Sequence, residues 1–165
     1  MDLRAPRTAC LLVMLGAAFA LASAWYFQLV VGLAPCPLCL TQRIPYYIGA
    51  PLALAGFILA RLSLDRLARL VLAALALLML VNAGIAIYHA GVEWHLWQGP
   101  TTCSAAPPVA VSDIMAALQK THVPRCDEAA WRLFGLSMAG WNACIALALA
   151  GIATLGALGS GSRRV

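Results

Sequence analysis

The sequence predicts an all-α membrane protein, a bundle of four transmembrane helices joined on one face of the membrane by a short and a long loop. Three observations carry this. Hydrophobic residues fill 63% of the 165 positions and charged residues only 10%, and the mean hydropathy of +0.87 exceeds what a domain with a water-facing surface sustains. Four uncharged, mainly apolar runs, at about 8–33, 44–60, 70–90 and 134–158, match the roughly 20 residues that a helix needs to cross a bilayer. Arginines before the first run, between the second and third, and after the fourth all fall on one side of such a bundle.

Span one, Thr8 to Leu33, follows Arg4 and Arg7. Its Ala22-Ser23-Ala24 imitates the small-residue cleavage site of a signal peptide, but the apolar run continues through Trp25, Tyr26 and Phe27, which suits an uncleaved span. Span two, Ile44 to Ala60, is the shortest and contains Pro45 and Pro51, so a kink near the interface is expected. Arg61, Arg66 and Arg69 separate it from span three, Leu70 to Ala90, and Arg163 and Arg164 follow span four, Phe134 to Leu158. The opposite side receives loops 34–43 and 91–133, and in the longer one Lys120, Arg125 and Arg132 are outnumbered by Glu93, Asp113, Asp127 and Glu128. The bias of basic residues places both termini in the cytoplasm and both loops outside it. Within the long loop, "PPVAVSDIMAALQ" offers Ser112 as an N-cap, followed by Ile114, Met115 and Leu118 at helical spacing, which predicts a short interfacial helix against the lipid surface. Trp94, Trp97 and Trp131 are expected to anchor the interface. The chain reads as a single membrane domain, 1–165, without repeats. Its net charge of +5 comes from scattered residues and forms no basic patch with interleaved aromatics, so nucleic acid is not an expected partner.

Of the six cysteines, Cys36, Cys39, Cys103 and Cys126 fall on the outer side, while Cys10 and Cys144 lie within spans and are expected to pack as small apolar residues. Zinc is disfavoured because only one C-x-x-C exists and no second knuckle accompanies it; no metal is expected. Two structural disulfides are a second reading, with a bridge from Cys103 to Cys126 stapling the long loop, but that leaves the C-x-x-C without a purpose. In "PCPLCLTQR", Pro37 suits a first helical turn, and a cysteine at a helix N-terminus has its thiolate stabilised and its disulfide made exchangeable. Cys39 and Arg43 are four apart, hence on one helix face, where a guanidinium can stabilise a thiolate or the oxygens of a bound acceptor. An interfacial anchor is the alternative role for Arg43.

"PCPLCLTQR", "YHAGVEWHLWQGPTTC" and "VPRCDEAAWRLFGLSMAGWN" together resemble the DsbB family of bacterial inner-membrane proteins, over nearly the whole chain. The resemblance implies a protein-dithiol:quinone oxidoreductase that reoxidises a periplasmic DsbA-like thiol oxidase and passes the electrons to the membrane quinone pool, ubiquinone or menaquinone. It implies that Cys103 and Cys126 form the bridge that meets the soluble partner, that Cys36 and Cys39 form the membrane-proximal pair, and that Arg43, with His89 near the outer end of span three, serves the quinone. Glu93 transfers less directly. The sequence carries no haem-attachment or dinucleotide fingerprint, so electrons reaching these thiols need an acceptor that meets them at the bilayer edge. Two other readings remain: a vitamin K epoxide reductase-like protein, whose active pair lies late in the chain whereas here it opens span two, and a non-enzymatic membrane scaffold with structural disulfides.

Overall fold

The computed structural model describes residues 2–100 and 125–159. Four helices dominate it: α1 (Pro6–Leu29), α2 (Pro37–Arg61), α3 (Asp65–Glu93) and α4 (Met138–Leu158). All four are long and apolar enough to cross a membrane. A two-stranded antiparallel hairpin, β1 (Arg132–Leu133) and β2 (Leu136–Ser137), leads into α4. α1 packs on α2, α2 on α3, α3 on α4 and α4 back on α1, so the helices close a ring around a shared interior. This is the four-helix membrane bundle that the hydropathy pattern predicts.

Local signals set the helix ends. Pro6 opens α1, and Gly32, at φ 79°, lets the chain turn sharply from α1 into the extended segment before Cys36. Cys36 caps α2: its sulfur accepts the Cys39 backbone N–H at 3.2 Å, and Pro37 occupies the first helical position, where its missing N–H costs nothing. α2 thus begins seven residues before the uncharged run at Ile44, and residues 37–43, expected in the short loop, form its first turns. Apolarity marks the hydrocarbon slab, whereas backbone capping marks where a helix starts, and here the two are offset. α2 continues as one helix through Pro45 and Pro51. α3 likewise extends past the run 70–90 at both ends, with Asp65 in its first turn complementing the positive helix N-terminus.

The fourth helix starts later than its apolar run. Phe134 and Gly135 both hold positive φ, 51° and 82°, as a tight hairpin turn demands, and Ser137 caps α4 by accepting the Gly140 N–H at 3.2 Å. Residues 134–137 therefore belong to the hairpin and not to the span. The short helix expected from Ser112 lies outside the described residues.

The interior is layered along the bundle axis. At the end remote from the C-x-x-C, Ala9, Cys10, Val13, Ala53, Leu72, Leu75, Ala76 and Ala153 form one cluster; Ala17, Tyr46, Met79, Leu149 and Ala150 form the next; Cys36, Val92 and Cys126 form the third. Alanines and glycines at the crossings bring the helix backbones close, which supplies much of the cohesion where the surroundings are as apolar as the interior. Cys10 is fully buried, as a packing residue should be. Cys144 is exposed on the bundle surface, which corrects the packing role expected for it: its position on α4 turns it outward. Arg7 ties the remote ends of α1 and α2 together by donating from Nε to the Ala60 carbonyl at 2.9 Å, adding a side-chain donor to a carbonyl at the C-terminal end of α2.

The α1–α4 crossing depends on Gly156, where an added Cβ would collide with the Ala9 methyl and crowd Leu72, whereas Gly151 faces open space. Gly156→Val is expected to cost about 1–3 kcal/mol and to lower the midpoint of unfolding by a denaturing detergent, with Gly151→Val close to wild type. Equal midpoints for the two variants would contradict the crossing.

Candidate active site

The C-x-x-C end of the bundle gathers three sulfurs and an imidazole. The Cys36 and Cys39 sulfurs lie 2.8 Å apart across the first turn of α2. His89, one turn before the end of α3, places Nε2 3.7 Å from the Cys36 sulfur. The chain returning toward the hairpin brings Cys126 onto the same spot: its sulfur, the Cys36 sulfur and a His89 ring nitrogen all lie within 4.8 Å of one another. Cys36, His89 and Cys126 are each at least 96% buried, so these groups meet away from water. Such a cluster has the donor types of a metal site. Cys126, however, is disulfide-bonded and has no thiolate to offer an ion, and two adjoining cysteine centres fit sulfur exchange better. Cys36, Cys39, Cys10 and Cys144 are free thiols. Cys103 lies outside the described residues.

A chain of buried polar side chains fixes His89. Nδ1 accepts from the Gln42 amide at 2.7 Å, Gln42 Oε1 accepts from Asn142 Nδ2 at 2.6 Å, and Asn142 Oδ1 accepts from the Tyr46 hydroxyl at 2.6 Å. The Glu93 carboxyl, buried at the end of α3, approaches His89 Nε2 at 3.9 Å. Outside the buried cluster, Arg125 grips Asp127 through two hydrogen bonds of 3.0 and 2.7 Å and holds that carboxyl below its usual pKa; exposed as it is, the pair adds little stability.

Arg43 sits one turn beyond Cys39. Its guanidinium donates to Gln28 Oε1 at 2.6 Å and to the Ala24 carbonyl at 3.4 Å, and lies 5.7 Å from the Trp25 ring centroid. α1 thus holds the cation in place through two of its five N–H donors and a cation–π contact. Arg43, Cys39, Gln42 and His89 line a cavity of about 200 Å³, walled by apolar residues that include Phe27, Ile145 and Trp131. Cys36 does not line it. The two members of the C-x-x-C therefore face different ways, Cys39 toward the cavity and Cys36 toward Cys126.

The site brings together five of the six residues singled out from sequence: Cys36, Cys39, Cys126, Arg43 and His89. Sequence reasoning missed Gln42, Tyr46 and Asn142. Their signal was present, since a polar side chain within an apolar span is costly unless it faces the bundle interior and has a partner. Trp131, expected as an interfacial anchor, instead packs on Phe27 with ring centroids 5.0 Å apart and helps wall the cavity.

Fold and site define a multi-pass membrane protein built around paired cysteines. Residues 6–156 match the family described as disulfide bond formation protein DsbB, and the chain belongs to that family. It is 31% identical over 152 residues to disulfide bond formation protein B of Stutzerimonas stutzeri, covering 86% of this chain and 88% of the relative. It is 36% identical over 143 residues to the protein of that name from Xanthomonas campestris, covering 82% and 81%, and 33% identical over 155 residues to that from Xylella fastidiosa, covering 88% and 87%.

The Cys36 thiol shares its hydrogen with the Cys39 sulfur, and that bond first, then burial, pushes its pKa far above the usual thiol value of about 8.5. The folded state then keeps a proton that the unfolded chain loses, so stability falls as pH rises past the unfolded thiol value. Reduced wild type is expected to lose resistance to denaturing detergent above about pH 8.5, and reduced Cys39→Ser, lacking the sulfur acceptor, to lose less. Parallel pH profiles would contradict the assignment.

Proposed function

We propose that this protein is a thiol:quinone oxidoreductase that reoxidises a periplasmic DsbA-like thiol oxidase and passes the electrons to a membrane quinone, with both termini cytoplasmic and the redox cysteines periplasmic. One observation carries the reading: the inner pair spans the distance between a second cysteine centre and an apolar cavity, with Cys36 beside Cys126 and Cys39 on the cavity wall. Membership of the disulfide bond formation family supports it.

The residues fit the acceptor's chemistry. A quinone ring is flat and apolar with two carbonyl oxygens, and the cavity is comparable to the roughly 150 Å³ that accommodates a benzene ring, with Arg43 supplying donors on its wall. The bound quinone supplies a two-electron, two-proton sink in contact with the lipid. Arg43 orients the acceptor and offsets negative charge on the Cys39 sulfur and on the reduced oxygens. His89 lines the same cavity while its other face meets the sulfurs. The apolar wall of Phe27, Trp131 and Ile145 keeps water from the Cys39 sulfur.

Electrons enter when a reduced partner thiolate attacks a Cys103–Cys126 bridge. The partner's second thiolate releases the partner as a disulfide and leaves Cys103 and Cys126 as thiolates; one attacks the Cys36–Cys39 bridge, the other re-forms the loop bridge, and the inner pair becomes the dithiol that faces the acceptor. A magnitude constrains the driving force. Stable structural disulfides lie below about −300 mV and the established potential of DsbA is about −120 mV, a two-electron gap equivalent to about 8 kcal/mol. An ordinary bridge does not oxidise such a partner, so withdrawal of electrons through the inner pair must pull the outer exchange forward.

The test is quinone reduction by purified protein with a reduced periplasmic thiol oxidase as donor. Wild type is expected to turn over, Cys36→Ser, Cys39→Ser, Cys103→Ser and Cys126→Ser to be inactive, and Cys10→Ser and Cys144→Ser to remain active. Arg43→Met should raise the quinone KM roughly 10- to 100-fold, the worth of a hydrogen bond to a charged group, while stoichiometric exchange between the loop bridge and the partner stays unchanged. Full turnover in Cys36→Ser or Cys126→Ser would sink the relay; unchanged quinone kinetics in folded Arg43→Met would make Arg43 an anchor.

A further inference from the structure

We propose that Gln42, backed by Asn142 and Tyr46, is a positioning residue that locks the neutral His89 ring with its hydrogen on Nε2, aimed at the Cys36 sulfur, so that His89 serves exchange between the two cysteine centres. The proposal rests on the relay reading above and deepens it.

A neutral imidazole has one donor and one acceptor nitrogen, and the partner of one decides the state of the other. The three bonds run in one direction: the Tyr46 hydroxyl donates to Asn142, Asn142 donates to Gln42, and Gln42 donates to Nδ1. Nδ1 is therefore the acceptor and Nε2 carries the hydrogen. Reversing both amides would reverse the whole chain, so the decision falls to the groups around Nε2. These are the Cys36 sulfur at 3.7 Å and the Glu93 carboxyl oxygen at 3.9 Å. Sulfur and carboxyl oxygen both serve as acceptors, and a bare Nε2 would oppose their lone pairs in a site where Gln42 is 5% and His89 3% exposed. Burial makes that mismatch costly. Three helices thus contribute to one hydrogen-bond direction: Gln42 and Tyr46 from α2, His89 from α3, Asn142 from α4.

The hydrogen has a use in the inward transfer. When the Cys126 thiolate attacks the Cys36 sulfur, a Cys36–Cys126 bond forms, the Cys36–Cys39 bond breaks, and Cys39 leaves with the electron pair as a thiolate. When the Cys103 thiolate then attacks Cys126, the loop bridge re-forms and Cys36 leaves as a thiolate with its own pair. The loop centre has lost two electrons and the inner pair has gained two, with no proton moved in either attack. His89 Nε2–H is the donor placed on the departing Cys36 sulfur, and a hydrogen bond to a developing charge lowers that barrier. Gln42 acts only through the imidazole.

The test uses full-length protein in lipid nanodiscs with isotope-labelled histidine, read by nitrogen NMR, with the His89 signals identified by their loss in His89→Gln. Wild type is expected to show a protonated Nε2 and a bare, hydrogen-bonded Nδ1. Gln42→Leu should produce a tautomer mixture and slow single-turnover transfer from the reduced loop centre to the inner pair, measured without quinone, about tenfold. In the His89→Gln background Gln42→Leu should slow it no further. If Gln42→Leu alone misfolds by stranding Asn142, Gln42→Leu combined with Asn142→Leu removes both buried polar groups and carries the same expectation. A hydrogen on Nδ1 in wild type, or an unchanged tautomer or transfer rate in the folded leucine variants, would overturn the proposal. Absence of any inward transfer in wild type would instead remove the relay reading, and the wild-type spectrum would still decide which nitrogen carries the hydrogen.

Discussion

Everything at the cysteine end follows from where α2 begins. Cys36 caps the helix through its own sulfur and Pro37 fills the first helical position. From that start the helical repeat sets Cys39, Gln42, Arg43 and Tyr46 on successive turns lining one cavity, while the cap position leaves Cys36 turned toward His89 and Cys126. A start one residue later would rotate the whole set by about 100° and part the two sulfurs from their separate neighbours. The proline and the thiol thus do jointly what a serine or aspartate cap does in most helices.

The second constraint is the cost of polar atoms in an apolar bundle. Water does not compensate an unmet amide there, which favours buried polar groups that find partners on another helix. Gln42, Asn142, Tyr46 and His89 do so in series, which ties three helices to one register and holds the imidazole still. Arg43 is met in the same way by Gln28, the Ala24 carbonyl and Trp25 of α1. Precision at the site and cohesion of the bundle therefore share the same contacts, and the alanine-rich layers below supply close packing without direction.

Much of this was legible in the sequence. Four apolar runs with basic separators gave the bundle, and the proline-flanked C-x-x-C with an arginine four residues on marked the turn at which α2 begins. The limits were physical. Hydropathy registers transfer into hydrocarbon, so it stopped at Ile44 although α2 begins at Pro37, and it carried span four back to Phe134 although a positive-φ hairpin occupies 134–137. Gln42 and Asn142 are 100 residues apart, and no local pattern announces that they meet. Cys144 read as a core residue because its neighbours are apolar, yet in a membrane protein apolar neighbours are equally found on the outside. Trp131, read as an interfacial anchor, also walls the cavity.

The central claim is that one buried junction joins the inner pair to Cys126. Disulfide trapping in a protein carrying Cys39→Ser and Cys103→Ser tests it most directly, because those changes leave Cys36 and Cys126 as the pair to be joined at the cysteine end. Sulfurs within 4.8 Å need only a small shift to reach bonding distance. Mild oxidation in lipid is expected to give an intramolecular Cys36–Cys126 disulfide in nearly all molecules, seen by peptide mass mapping without reductant. Recovery of both residues as free thiols, or linked only between separate chains, would contradict the junction.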